Sequence, residues 1–229
     1  MAVLPNEILT VVPARGGSKG IPHKNLHPFR GRPLIHYTLN LLQELPELRH
    51  VVVSTEDEEI REHCASAGFA TEYKRPTRLA TDESGVSETS LHVLDWAEGF
   101  WHQRFRYVLL LQPTSPLRKA RHVRAFLAEL DSGEHESLVA VSPMTEHPME
   151  CIAATEGKSG WEYLVAPPSG AQGRQAYRGR YFFINGAIYA ATPDFLRREG
   201  ALFVPPNTAL FEMEARYSLD IDTPEDLLR

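Results

Sequence analysis

Cysteine is nearly absent: Cys64 and Cys151 are the only two among 229 residues. Neither falls in a metal or redox spacing, which excludes a disulfide framework or a zinc cluster as the organising device. Long apolar runs are missing too, and no stretch approaches the ~18 residues that cross a bilayer. The opening MAVLPNEILTVVPARG offers five consecutive apolar-to-neutral residues, Ile8 to Val12, too few for a secretory signal. The expected setting is therefore a reduced cytoplasm, away from membranes. A surplus of positive charge is also missing: 24 Lys+Arg against 30 Asp+Glu leave −6, which argues against a nucleic-acid or anionic-membrane binder.

What is present suits a single α/β domain with a small appendage. The chain is 42% hydrophobic and 24% charged, so it can bury a sizeable core. Its charge is placed unevenly. Between Glu7 and Glu44 there is no acid, yet Arg15, Lys19, Lys24, Arg30 and Arg32 fall there. Between Glu162 and Asp194 the only charges are Arg174, Arg178 and Arg180. Two purely cationic windows in an acidic chain point to small anionic ligands held locally.

The first half alternates strand and helix signals. Strands are expected at Ile8–Pro13, His50–Thr55, Phe69–Lys74, Tyr107–Gln112 and Leu138–Ser142. Helices are expected at Leu34–Leu45, Asp57–Ala67, Ser87–Gln103 and Lys119–Leu130. That alternation predicts a doubly wound, mostly parallel sheet, which binds ligands beyond the carboxyl ends of its strands. From Pro143 to about Gly179 the chain turns Pro-, Gly- and Ser-rich, with short strand-like pieces at Cys151–Thr155 and Glu162–Val165; residues 144–180 read as an arm or lid. Strand character resumes at Tyr181–Ala191, and a last strand is expected at Tyr217–Asp222 before a helix opened by Thr223 and Pro224.

Three segments are placed to do chemistry. Pro13–Gly20 (PARGGSKG) follows the first strand directly: its glycines let backbone N–H groups converge on an anion while Arg15 and Lys19 supply charge, although it matches neither a P-loop nor GxGxxG. The bland alternative is a surface turn with solvated basic residues. Gln112 and Arg118 flank a turn at the end of the most apolar strand, where a crevice opens in such sheets; Gln112 can both donate and accept. Asp220-Ile-Asp222, if extended, turns both carboxylates to one face and Ile221 to the other, an arrangement suited to Mg²⁺ with substrate phosphates. Its alternatives are a helix cap by Asp222 or the metal motif of a nucleotide-sugar glycosyltransferase. Arg75 and Arg174 have the planar donor fork of an anion clamp. The ten histidines show no metal spacing.

Taken together, ARGGSKGIPHKN (14–25), RP..LATD (75–82), LLQPTSPLR (110–118), NGAIY (185–189) and SLDIDTPEDL (218–227) resemble the acylneuraminate cytidylyltransferase family, in its order and spacing over nearly the whole chain. The resemblance implies a Rossmann-like nucleotidyltransferase that joins CMP from CTP to the anomeric hydroxyl of a sialic-acid-like nonulosonic acid, releasing pyrophosphate. It implies that Arg15, Gly16, Gly17, Ser18, Lys19, Lys24, Asn25 and Arg75 bind CTP. Gln112, Arg174 and Tyr189 would contact the acceptor, and Asp220 and Asp222 would hold Mg²⁺. Arg15, Lys19 and Asp222 would serve catalysis, the last by taking the hydroxyl proton. It further implies a homodimer in which residues 144–180 reach the partner. Val86, Glu150 and the Arg178/Arg180 stretch depart from the sialate pattern, so a phosphonate or other small acid stands as an alternative acceptor.

Overall fold

The computed structural model describes residues 6–154, 160–166 and 179–229. In chain order the elements begin with β1 (Ile8–Pro13), β2 (Pro28–Phe29), β3 (Arg32–Pro33), α1 (Leu34–Gln43), β4 (His50–Ser54) and α2 (Glu58–Ser66). They continue with α3 (Val86–Trp101), β5 (Tyr107–Leu110), α4 (Ala120–Asp131), β6 (Ser137–Pro143), β7 (Ile152–Ala154) and β8 (Trp161–Tyr163). The last are β9 (Phe182–Ala191), α5 (Pro193–Glu199) and β10 (Ala209–Glu212).

Six strands form one sheet in the order β10-β6-β9-β5-β1-β4. Strand β1 pairs in parallel with β4 and β5, and β10 with β6. Strand β9 runs antiparallel between β5 and β6. Strands β1 and β5 are buried almost throughout because helices cover both faces. One layer packs α1 and α4 through Leu39, Leu42, Val123 and Phe126; the opposite layer packs α3 and α5 through Val93, Leu94, Phe195 and Leu196. Asp57 caps α2 by accepting from the Ile60 N–H, and Thr192 caps α5 through Phe195.

Three expectations differ from what the structure contains, and one stretch for which none was stated holds two elements. Phe69–Lys74 is not a strand: the Arg61 guanidinium takes the Tyr73 and Thr71 carbonyls, and the Tyr73 N–H goes to the Thr71 hydroxyl, so groups that a ladder would need are engaged by side chains. Tyr217–Asp222 is not a strand either. A 3₁₀ turn spans Ala215–Tyr217, and the following stretch is tied by the Ile221 N–H to the Thr114 carbonyl at 2.9 Å. The expected helix after Thr223 is a 3₁₀ turn, Pro224–Leu228. Residues 192–216, left unassigned by pattern, hold α5 and β10.

The strand-like pieces of the arm exist as β7 and β8, an antiparallel pair exposing Ile152, Trp161, Tyr163, Leu164 and Val165 close by. No helix among the described residues is long and apolar enough to cross a membrane.

Candidate active site

The carboxyl ends of β1, β4 and β5 open on one cleft of 220 Å³. Arg15, Lys24, Asn25, Arg75 and Gln112 line it, and so do Asp82, Ser84, Val86, Thr89 and Thr114. Five residues singled out in three separate segments of the sequence are thus brought together by the order of the strands.

The glycine loop leaves β1 and is fixed from beneath. Asn25, buried, donates its side-chain N–H to the Arg15 carbonyl at 2.9 Å, so its amide holds the loop in shape. The Gly16 N–H is spent on Glu56 Oε1 at 2.8 Å and is not offered to the cleft. A Cβ at Gly16 would run into the Asp57 carboxylate, which explains why this position has no side chain. Gly17 faces open space, Ser18 is half-buried, and Lys19 extends into solvent with its side chain 81% exposed. Arg15 Nη1 and Lys19 Nζ each meet one oxygen of Asp82, at 2.8 and 2.9 Å.

Arg75 is buried at the end of β4. It donates through Nε to the Ser54 hydroxyl at 3.0 Å and through Nη2 to the Ser54 carbonyl at 2.7 Å. Burial lowers its pKa, opposed by the nearby Glu56 carboxylate. Behind it, Tyr73 is buried and its hydroxyl meets His92 Nδ1 at 2.9 Å, which gives that histidine a structural task.

The Asp220 and Asp222 carboxylates do not line the cleft but lie beside it, next to two residues that do, Thr114 and Lys24. Ile221 is fully buried against Ile21, Phe29 and Leu34, as the alternation requires, but its two neighbours lie in different environments. Asp222 is exposed and its Oδ1 is 2.8 Å from Lys24 Nζ, which also donates to the Ile221 carbonyl at 3.2 Å. The cap by Asp222, the alternative reading, does not form; Asp226 instead accepts from the Thr223 and Asp222 N–H groups.

Asp220 points inward. Burial raises its pKa, the Thr114 side chain opposes that rise, and Asp222 adds to it. Asp220 Oδ1 is buried and has no hydrogen-bond partner among the described residues, a state that suits a carboxylate facing a cation. Among those residues no group of three or more His, Cys, Asp or Glu converges, so a bound cation would complete its shell with phosphates and water, as Mg²⁺ does.

Gly186 is close to both Asp220 and Gln112. It has φ +74°, and a Cβ there would stand 3.1 Å from Asp220 Oδ2 and 3.2 Å from Gln112 Oε1. Tyr189, further along β9, stacks on Phe203; burial and the Asp220 carboxylate push its hydroxyl up to about 12, so it remains a donor at neutral pH. Arg174 and Arg178 lie outside the described residues, while Arg180 pairs with Glu212. Arg118 does not reach the cleft: fully inside the core, it ties the Ala187 and Gln112 carbonyls and Thr38 together.

Pattern reading missed Glu56, whose carboxylate holds the loop by accepting from the Gly16 N–H, while Gly186 lay within the quoted NGAIY segment without a task. Asp82 and Thr114 lay within quoted segments without a task.

A mostly parallel sheet with a basic glycine loop after its first strand, and two aspartates beside the cleft, is the architecture of a nucleotide-binding site, and the relatives of this chain make it a nucleotidyltransferase. The chain belongs to the cytidylyltransferase family, whose model matches residues 9–158. It is 32% identical to a CMP-N,N'-diacetyllegionaminic acid synthase of Legionella pneumophila, over 96% of this chain and 92% of that protein. It is 30% identical to an N-acylneuraminate cytidylyltransferase of Streptococcus agalactiae serotype V, again over 96% of this chain, which spans 51% of that longer protein. The fold is shared with a CMP:2-keto-3-deoxy-manno-octonic acid synthetase solved with CTP, at a TM-score of 0.71 and 19% identity over 97% of this chain and 95% of that one.

Proposed function

We propose that this cytidylyltransferase joins CMP to the anomeric hydroxyl of a nonulosonic acid. The observation that carries the reading is the single cleft in which Arg15, Lys24, Arg75 and Gln112 converge, in a chain whose relatives are named for legionaminic and N-acylneuraminic acids. The acceptor oxygen bonds to the α-phosphorus of CTP, the bond to the β-phosphate breaks, and pyrophosphate leaves. Arg15 and Lys19 neutralise the departing phosphates, and Lys24 steadies the chain between them and Asp222. Arg75 and the Asn25-braced loop take the nucleotide. Gln112, Tyr189 and Arg174 orient the acceptor, and Asp222 receives its hydroxyl proton at a carboxylate oxygen.

Asp220 and Asp222 would hold Mg²⁺, which when bound neutralises phosphate charge and polarises the α-phosphorus. The orphaned Asp220 Oδ1 supports that assignment.

Residues 144–180 form the dimerisation arm in this reading. Ile152, Trp161, Tyr163, Leu164 and Val165 are exposed, as are Phe183 and Ile184 at the root of β9, and a second copy of the chain would cover these apolar side chains. A reducing cytoplasm fits two free cysteines, of which Cys64 is buried with its thiol pushed up to about 12.

Pure protein supplied with CTP and Mg²⁺ is expected to release pyrophosphate with one or more nonulosonic acids. Silence across legionaminic, pseudaminic and N-acylneuraminic acids would overturn the acceptor class. A faster rate with a phosphonate would replace it by the alternative acid, which Glu150 and Arg180 left open.

A further inference from the structure

The two cations assigned to the departing phosphates are already engaged, and by one group. Asp82 Oδ1 stands 2.8 Å from Arg15 Nη1 and Oδ2 stands 2.9 Å from Lys19 Nζ, so the carboxylate bridges both, one oxygen to each. A phosphate would take the pair in the same manner. Asp82 comes from outside the loop: it follows the 3₁₀ turn Thr77–Leu79 and precedes α3. Its segment also carries Ser84 and Val86 to the cleft wall. The contact is open to water, with the Asp82 side chain 37% and the Lys19 side chain 81% exposed. Pairs of this kind are weak and exchange readily. The two cations, Lys19 foremost, hold the Asp82 carboxyl below its usual range, so it stays charged at neutral pH.

We propose that Asp82 is a tethered counter-ion, an internal competitor that the β- and γ-phosphates displace from Arg15 and Lys19 on binding and that recaptures both cations when pyrophosphate leaves. This rests on the reading of the glycine loop as the triphosphate site. A tethered carboxylate is present at high effective concentration but carries a single charge, so it yields to a polyphosphate and returns when that ligand departs. A ligand whose phosphate does not reach Arg15 and Lys19 displaces nothing. Asp82 therefore weakens CTP and pyrophosphate together and leaves CMP untouched, which favours product release and opposes the back reaction.

The test is calorimetric titration of the full chain with CTP, pyrophosphate and CMP, for wild type, Asp82→Asn and Asp82→Ala. Glu83→Gln serves as a control that removes the same charge one residue away, from a side chain with no ion-pair partner among the described residues. Loss of two exposed pairs is expected to tighten CTP and pyrophosphate about three- to tenfold. CMP should be unchanged, and Glu83→Gln should resemble wild type. In a Lys19→Met background the gain from Asp82→Asn should shrink, because one competing pair is already gone. Unchanged or weaker binding of CTP and pyrophosphate in both Asp82 variants overturns the proposal. So does equal tightening of CMP or in Glu83→Gln, since that is a bulk charge effect. Absence of CTP binding by wild type is a different result, and it overturns the reading of the cleft itself.

Discussion

Lys24 and Asp222, 198 residues apart in the chain, meet at 2.8 Å between Nζ and Oδ1. The contact joins the loop after β1 to the segment after β10, so one lysine closes the cleft from both ends of the sequence. As an ion pair it adds little to folding, since Asp222 is 66% exposed. Its weight falls on the nucleotide. Lys24→Ala is expected to raise the KM for CTP by about ten- to a hundredfold, the size of one charged hydrogen bond, while Tm changes by little. Steady-state kinetics beside a thermal melt checks both parts.

Lys19 separates catalysis from stability most cleanly. Its side chain is almost entirely in solvent, and among the described residues its one ion pair is with Asp82. Lys19→Ala should lower kcat by about 10²–10³-fold, as loss of a charge aimed at the leaving group does, with an unchanged Tm. A near-normal rate would return the loop to a structural turn.

Gly186 keeps clear of Asp220 and Gln112 by having no side chain. Gly186→Ala adds a Cβ at φ +74° and pushes it against Asp220 and Gln112. The expected cost is about 1–2 kcal/mol in stability from the left-handed backbone alone. The KM for the acceptor should rise more than the KM for CTP, because Gln112 moves and the glycine loop does not. Chemical denaturation and a two-substrate kinetic matrix measure these separately.

Asp220 sets function against stability. Burial raises its pKa in the folded protein above the unfolded value. The folded state then holds its proton more tightly, so stability is full below the unfolded pKa and declines as pH rises through the folded one. Asp220→Asn is expected to remove that decline: at neutral pH the metal-free variant should melt higher than wild type and show no turnover. The difference in Tm should vanish at pH values below the ordinary carboxylate range. A variant less stable at neutral pH would mean that the carboxylate is needed for packing.

Much of this molecule was legible in its sequence where local chemistry and final structure agree. The apolar runs of β1, β4, β5 and β6 need only burial on both faces to be strands, and the amphipathic helices between them need only a sheet to pack on. Phe69–Lys74 failed because a side chain, Arg61, captures its carbonyls from another element, and no periodicity encodes that. Asp220 and Asp222 were found by spacing, but their divergence in burial comes from the partners each meets: Gly186 and Thr114 for one, Lys24 for the other. Arg118 was expected beside the ligand crevice because nothing in the sequence marks a buried arginine whose partners are the Ala187 and Gln112 carbonyls. Glu56 was silent for a similar reason. An acid that serves a loop of opposite charge declares itself only when the Gly16 N–H is seen to reach it.

The antiparallel course of β9 bears on how such a chain can change over time. Pro143 pairs with Phe182, so the long connection between β6 and β9 leaves and returns at adjacent points of the same sheet. Lengthening a loop between fixed ends costs little, since the entropy of closure grows only with the logarithm of its length. The ladder below, from Val141–Ile184 to Ser137–Ala191, is indifferent to what is inserted above it. The connection can therefore change in length without re-registering the strand that carries Asn185, Gly186 and Tyr189.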